Sequence, residues 1–188
     1  MTRLFLYPLV GGAPGAPQLV SDPARLGSML GSLGVEYAKW TALKPLPPAA
    51  GQAEILELHR AQLDEVTSRF GYQSVDVVRM QPDNPQAEVA RQKFLSEHTH
   101  ADDEARFFAE GGGTFYLHFP ERALVGALAC TEGDWVRVPA GTRHWFDMGA
   151  RPLFSAIRLF TRPDGWVASF TGSPIAAAFP THDALAAS

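Results

Sequence analysis

The chain has 188 residues, of which 46% are hydrophobic and 19% charged, a composition typical of a globular protein with one domain and a sizeable core. Its formal net charge of −4 excludes the strongly basic surface that nucleic-acid-binding proteins use. A single cysteine, Cys130, rules out an internal disulfide and fits a reducing compartment. The N-terminal apolar run is too short for a signal peptide or a membrane span. We therefore predict a cytoplasmic protein without a nucleic-acid or membrane partner.

The first 92 residues predict a mixture of helices and strands. Ser21 is expected to cap the first helix, with Pro23 in its first turn and Gly34 at its end. Apolar spacing of three and four residues predicts the later helices, and Val-rich or alternating stretches predict the strands. Further elements predicted here are strands at residues 3–9, 35–42 and 74–80, helices at residues 53–70 and 86–92, and a proline-rich loop at residues 44–51.

From Lys93 onward the predicted elements are short strands separated by turn residues. Such a series indicates a mainly β sandwich or small barrel, with the N-terminal helices packed outside. The Ala-rich tail is expected to drape over the surface or fray. The predicted strands cover residues 94–100, 104–109, 114–119, 124–130, 135–138, 144–147, 153–161 and 166–170. We thus divide a single domain, residues 1–188, into an N-terminal part (1–92), a barrel core (93–171) and a tail (172–188).

Two stretches of the barrel core carry a high density of metal-ligating side chains. Alternation along a strand puts His98 and His100 on one face, and Glu104 and Arg106 on one face of the next strand. A third histidine, His144, begins a later strand. If these faces point into one barrel, three imidazoles and a carboxylate meet there, a donor set that suits Fe, Ni, Cu or Zn. Such a set leaves two positions of an octahedral ion open for a bidentate substrate.

The spacing of these residues matches the two-part motif of the cupin superfamily. The match is complete except at Met148, where the second motif usually has asparagine. This resemblance implies a double-stranded β-helix, or jelly-roll barrel, in which His98, His100, Glu104 and His144 bind one metal ion. The two motifs read His98-x-His100-x3-Glu104-x6-Gly111 and Gly133-x5-Pro139-x-Gly141-x2-His144.

Within the cupins, the chain resembles the acireductone dioxygenase family. The resemblance lies in residues 93–107, 144–149, 157–160 and 165–166, and it covers most of the chain. It implies an enzyme of methionine salvage that cleaves 1,2-dihydroxy-3-keto-5-methylthiopentene with O2. With Fe(II) the family yields formate and 2-keto-4-methylthiobutyrate, and with Ni(II) it yields formate, CO and 3-methylthiopropionate. It also implies one Fe(II) or Ni(II) per chain and a monomer.

The same resemblance assigns roles to three charged residues. Arg106 is expected to favour the substrate dianion, Glu97 to assist metal incorporation, and Asp103 to relay conformational change. Each has a simpler explanation. Arg106 can form a structural ion pair with Glu104 or Asp103, and the two carboxylates can simply be solvated.

The resemblance also implies a substrate pocket with an apolar wall, which suits a methylthioethyl tail. Alternation places Phe107 on the face opposite the ligands, which argues against it unless a bulge intervenes. Arg158 lies among apolar neighbours and needs an anionic partner, which can be the substrate, Glu97 or Asp102. The family positions that line the pocket correspond to Phe94, Phe107, Phe146, Arg158 and Trp166.

Two other classes of function remain open from sequence. One is another mononuclear cupin enzyme, such as a sugar-phosphate isomerase or a different dioxygenase. The other is a non-catalytic cupin module, such as a ligand sensor. Sensor cupins usually accompany a DNA-binding helix-turn-helix, and the N-terminal helices here lack a basic face.

Overall fold

A computed structural model describes residues 1–41 and 45–188, and within them thirteen strands and five α-helices form. The strands are β1 (Arg3–Val10), β2 (Ala13–Pro14), β3 (Gln18–Val20), β4 (Glu36–Lys39), β5 (Ser74–Met80), β6 (His98–Thr99), β7 (Glu104–Gly111), β8 (Gly113–Phe119), β9 (Leu124–Cys130), β10 (Asp134–Val138), β11 (Arg143–Asp147), β12 (Phe154–Phe160) and β13 (Ser169–Phe170). The helices are α1 (Pro23–Ser32), α2 (Gln52–Leu58), α3 (Arg60–Phe70), α4 (Ala87–Leu95) and α5 (His182–Ala186).

The described strands form two antiparallel sheets. The first has the order β13-β6-β11-β8-β9-β1-β2, with β3 also paired to β1, and the second has the order β4-β10-β7-β12-β5. This arrangement confirms the prediction of a mainly β cupin fold. The N-terminal part contributes more than helices, because β1 extends the first sheet and β4 and β5 form both edges of the second.

The two sheets face each other across an aromatic core. Side chains that alternate inward along β7, β8, β11 and β12 meet there, among them Phe108, Phe115, Phe146 and Phe154. All four are at most 1% exposed. Burial of these rings supplies the apolar driving force that holds one sheet against the other.

Helices cover the outer face of the five-stranded sheet. Ile55 of α2 and Leu63 and Val66 of α3 pack there in one buried cluster with Phe107 and Trp135. None of the helices in the described ranges is long and apolar enough to cross a membrane.

Two predictions about the N-terminal helices are wrong in detail. The residue that caps α1 is Asp22, not Ser21, because the Asp22 carboxylate accepts a hydrogen bond of 2.8 Å from the Arg25 amide. The helix predicted at residues 53–70 is two helices that meet at His59. The His59 ring is buried against Phe107 and its Nδ1 bonds the Ile55 carbonyl at 2.8 Å, so this histidine is structural.

The strands predicted at residues 94–100 and 166–170 are shorter in the structure. Helix α4 continues to Leu95, so Phe94 is a helical residue, and extended backbone begins at Ser96. Only Ser169–Phe170 pairs at the later position. The end of the strand predicted at residues 35–42, Ala42, and the start of the loop predicted at residues 44–51, Lys44, lie outside the described residues.

The C-terminal tail is packed rather than frayed. Phe179 and Leu185 are 8% and 4% exposed and join a cluster on the outer face of the eight-stranded sheet. The Phe179 ring contacts Tyr7, Tyr116 and Trp145 at centroid distances of 5.3, 6.2 and 5.5 Å. Apolar burial therefore attaches the tail to the barrel.

Replacing Phe179 with alanine should lower the free energy of unfolding by about 3 kcal/mol, because a buried aromatic side chain is lost and a cavity remains. Urea denaturation of the purified protein measures this change. The matched control is Leu19→Ala, whose side chain is 52% exposed. It should change the free energy by less than about 1 kcal/mol. Equal effects of the two variants would mean that the tail is not packed in solution.

Candidate metal centre

Neighbouring strands of the two sheets bring the four predicted ligands together. His98 on β6 pairs directly with His144 on β11, so the two side chains share a face of the eight-stranded sheet. His100 follows β6 directly, and Glu104 begins β7 in the opposing sheet. All four are at most 3% exposed.

The donor atoms of these residues converge on one point. One ligating nitrogen from each of His98, His100 and His144 lies within 4.8 Å of the other two. Oε2 of Glu104 lies 3.1 Å from Nε2 of His100 and 3.3 Å from Nε2 of His144. Three nitrogens and one oxygen therefore surround a single small volume.

Backbone carbonyls orient the three imidazoles. Nδ1 of His98 bonds the Ser96 carbonyl at 2.7 Å, Nδ1 of His100 bonds the Val167 carbonyl at 2.6 Å, and Nδ1 of His144 bonds the Thr142 carbonyl at 2.9 Å. A carbonyl oxygen only accepts, so each Nδ1 carries the proton. In a neutral imidazole of this tautomer, the lone pair of Nε2 is free to bind a metal.

The donor set fits one divalent transition-metal ion. Within the described residues, Nε2 of His100, Nε2 of His144 and Oε2 of Glu104 are buried and have no hydrogen-bond partner. Buried polar atoms are costly unless something satisfies them. Three imidazole nitrogens and a carboxylate oxygen are ligands that Fe, Ni and Zn accept. A single metal ion would satisfy all of these atoms at once.

The local electrostatics favour the ligand forms of His98 and Glu104. Burial and the neighbouring His144 lower the pKa of His98 to about 3, so its imidazole is neutral. Burial opposes the charge of Glu104, but the Arg106 guanidinium and the His100 and His144 rings together outweigh it and hold the pKa of Glu104 well below its ordinary value. At His100, burial disfavours the charged form, yet the Glu104 carboxylate raises the pKa.

Arg106 lies beside the donors and in an apolar cage. Its Nη2 donates to Oε1 of Glu104 at 2.6 Å, and its guanidinium lies 4.4 Å from the ring centre of Phe115 and 4.7 Å from that of Phe146. Burial lowers the pKa of Arg106, and the Glu104 charge opposes this shift. Its Nε is buried without a hydrogen-bond partner in the described chain. The structural ion pair with Glu104 is thus present, and one buried donor is left over.

An aromatic wall stands beside the three histidines. The Trp166 ring lies 5.6 Å from His98 and 5.7 Å from His100, and the Phe94 ring lies 6.0 Å from Trp166 and 6.4 Å from Phe146. Trp166 thus contacts two of the histidines, and Phe94 links it to Phe146 in one aromatic wall.

The structure contradicts the assignment of Phe107 to this pocket. Its ring packs against Trp40 at 4.7 Å and belongs to the cluster outside the five-stranded sheet. Glu104 and Arg106 point inward from β7, and Phe107 points outward, as the alternation of a strand requires. Phe107 is therefore a residue of the outer core.

The anionic partner of Arg158 is neither Glu97 nor Asp102. Its Nε and Nη2 donate to the two carboxylate oxygens of Asp76 on β5, at 2.8 and 2.6 Å. Arg158 pairs with Arg106 across the sheet and lies 5.8 Å from the Trp166 ring. It is 8% exposed, and it therefore adds a second cation on the inner face near the aromatic wall.

Glu97 and Asp103 have specific partners and are not simply solvated. Glu97 is 1% exposed, and its two oxygens accept hydrogen bonds of 2.6 Å each from Nδ1 of His118 and Oγ1 of Thr171. Asp103 pairs with Arg137 and accepts a hydrogen bond of 2.8 Å from the Ala140 amide.

Two contributors to the site were not found from sequence. Phe115 stacks on Arg106, and its inward position on β8 follows from the same alternation that identified the ligands, so this signal was available. The Val167 carbonyl orients His100, and no side-chain pattern could reveal it, because its contribution comes from the backbone.

Replacing His98 or His144 with alanine should abolish stoichiometric metal binding, because three donors hold a transition metal much more weakly than four. Elemental analysis of metal-reconstituted, gel-filtered protein measures this loss. The control is His182→Gln, a histidine of the tail that bonds Thr114 and lies outside the histidine triad. Full metal content in His144→Ala would show that the triad is not the metal site.

The chain is similar to known proteins over nearly its whole length. The profile of the ARD/ARD' family matches residues 37–168. Proteins named acireductone dioxygenase from Synechococcus sp. (strain RCC307) and Hydrogenobaculum sp. (strain Y04AAS1) are 48% and 44% identical to the chain. The first alignment covers 96% of this chain and 98% of the relative, and the second covers 99% of each.

A solved structure, that of an acireductone dioxygenase from Bacillus anthracis with a cadmium ion in its active centre, is similar to the chain with a TM-score of 0.79 and 27% identity. The similarity covers 90% of this chain and 98% of that protein. From the profile match and the nearly full-length relatives, we conclude that this chain belongs to the ARD/ARD' family.

Proposed function

We propose that the chain is an acireductone dioxygenase that cleaves 1,2-dihydroxy-3-keto-5-methylthiopentene with O2 in methionine salvage. The observation that carries this proposal is the convergence of three imidazoles and the Glu104 carboxylate beside the buried cation of Arg106. The names of the relatives described above support the same activity.

We propose Fe(II) or Ni(II), one per chain, as the metal held by His98, His100, Glu104 and His144. When bound, such an ion would supply a Lewis acid that stabilises the deprotonated substrate. Both metals accept imidazole and carboxylate ligands. The products are expected to be formate and 2-keto-4-methylthiobutyrate with Fe(II), and formate, CO and 3-methylthiopropionate with Ni(II).

Arg106 would stabilise the substrate as a dianion. An acireductone loses protons readily, and a fixed cation favours the deprotonated form. The Phe115 and Phe146 rings keep water away from the guanidinium, so its interaction with a substrate oxygen is stronger than in bulk water. The ion pair with Glu104 holds the guanidinium in place before the substrate arrives.

Phe94, Phe146 and Trp166 would bind the methylthioethyl tail and exclude water from the reacting carbons. Their mutual ring contacts support this role. Arg158 would add positive charge on the inner face, balanced by Asp76 until an anionic substrate binds.

We propose supporting roles for Glu97 and Asp103, which lie next to the ligands in sequence. Glu97 would assist metal incorporation, and its position next to the ligand His98 supports this. Asp103 would relay conformational change, since it precedes Glu104 and bonds the amide of Ala140 in the loop before His144. A monomeric, cytoplasmic enzyme remains a prediction.

Aerobic assay with synthetic acireductone tests the proposed activity. Protein loaded with Fe(II) should consume O2 and release formate and the keto acid, whereas Ni(II)-loaded protein should release CO. Metal-free protein and His144→Ala serve as controls and should not exceed the uncatalysed rate. If metal-loaded wild-type protein consumes no O2 above that rate, the proposed activity is wrong.

Replacing Arg106 with alanine should leave the metal content unchanged. It should prevent the shift in the ultraviolet absorption of the substrate that marks its conversion to the bound dianion. We expect kcat/KM to fall on the order of 100-fold, because one charge-stabilising group is removed from an apolar site. Arg106→Lys, which keeps the charge, should retain part of the shift. An unchanged shift in Arg106→Ala would contradict the role assigned to this residue.

A further inference from the structure

Three separate segments of the chain meet at the buried carboxylate of Asp147, the last residue of β11. This side chain is 1% exposed. Arg91 of α4 donates to its two oxygens from Nε at 2.8 Å and Nη2 at 3.2 Å. The amides of Gly149 and His182 donate to the same carboxylate at 3.0 and 2.8 Å. Strand β11, helix α4 and the C-terminal tail are therefore joined through one charged group.

Helix α4 is attached to the Asp147 carboxylate through Arg91. It has only nine residues, all of them described, and none of its side chains is fully buried. Isolated helices of this length are marginal in water. The apolar contacts of α4 come from partly buried residues. The bidentate ion pair between Arg91 and Asp147 is a strong, charge-assisted contact. The ion pair of Arg91 with Asp147 is thus one strong contact among those that hold α4 on the barrel.

The same helix supplies one wall of the proposed pocket. Arg91 and Phe94 are three residues apart, so their side chains lie on the same face of α4. The Phe94 ring contacts Phe146 and Trp166 at 6.4 and 6.0 Å. Phe94 lies less than one helical turn from Arg91. A displacement of α4 at Arg91 would therefore also move the Phe94 ring.

The tail holds the other side of Asp147. Besides the His182 amide, the His182 ring bonds Oγ1 of Thr114 at 2.9 Å, and Asp183 accepts from the Ala150 amide at 2.9 Å. These bonds attach the start of α5 to strand β8 and to the turn after β11. The carboxylate cannot turn away from Arg91 without breaking the contact to the tail.

We propose that Asp147 is a positioning residue, which fixes α4 and the Phe94 ring through Arg91 and the tail, and so sets how tightly the pocket holds the apolar tail of the substrate. Within the described residues, the Asp147 carboxylate accepts its hydrogen bonds from Arg91, Gly149 and His182 and not from the donor cluster. This inference rests on the proposed function, because it assigns Phe94 to the wall that contacts the substrate tail.

The kinetic test compares wild type with Asp147→Asn and Arg91→Met, each loaded with metal. For the methylthio substrate we expect KM to rise about tenfold with kcat within about twofold, since binding common to substrate and transition state is lost. For an analogue with methyl in place of the methylthioethyl tail, KM should hardly change. Metal content and the dianion shift should remain those of wild type.

The matched control is Arg60→Met, which breaks the pair between Arg60 and Glu57 on α3 and α2. Both of those side chains are 64% exposed, so this variant should behave as wild type with either substrate. Arg91→Lys should raise KM for the methylthio substrate less than Arg91→Met does. Equal changes in KM for the two substrates, or a loss of kcat alone, would contradict a positioning role.

Hydrogen–deuterium exchange separates this inference from the proposed function, because it requires no substrate. The amides of residues 87–95 should exchange faster in Asp147→Asn and Arg91→Met, while those of β9 should not change. An inactive wild-type protein would reject the proposed activity and leave this measurement intact. Unchanged exchange in α4 in both variants would overturn the role of Asp147, whatever the activity.

Discussion

The buried charge of Glu104 is the constraint on which the rest of the site depends. A carboxylate that is removed from water loses several kcal/mol of hydration unless charged or polar partners replace it. Arg106 satisfies one of its oxygens, and the other oxygen lies 3.1 Å from Nε2 of His100 and 3.3 Å from Nε2 of His144. Where Nε2 carries a lone pair for a metal rather than a proton, these imidazoles leave part of the negative charge uncompensated. A cation among the four donors would complete the compensation, so the arrangement that makes the site costly also makes it suited to a metal.

The position of Glu104 also explains why the two sheets must pack closely. His98 and His144 lie in the eight-stranded sheet, and His100 directly follows its strand β6. Glu104 begins β7 of the five-stranded sheet. The donor set is therefore complete only when the sheets face each other at a fixed distance. The aromatic core, which includes Phe108, Phe115 and Phe146, sets that distance. Two of these rings also enclose Arg106, so packing and electrostatics act through the same residues.

Segments outside the two sheets also contribute to the surroundings of the donor cluster. The tail is attached by Phe179 and Leu185, and the His182 amide joins it through Asp147 to Arg91 of α4. The backbone near Val167 both orients His100 and carries the neighbouring Trp166 to the triad. Segments outside the strands thus carry two rings of the aromatic wall, Phe94 and Trp166.

The sequence by itself determined the β-rich core, the bounds of β5 and β9, and the four donor residues. These features depend on local alternation, turn residues and the spacing of a two-part motif, which are properties of neighbouring positions. Only the tertiary structure decided that the helix breaks at His59, that the Phe94 ring meets Trp166 from a helix, that Asp76 is the partner of Arg158, and that Asp147 joins α4 to the tail. Each of these depends on which distant side chain satisfies a buried ring or charge. Local pattern does not specify that choice, because it shows which groups need partners and not where the fold brings those partners.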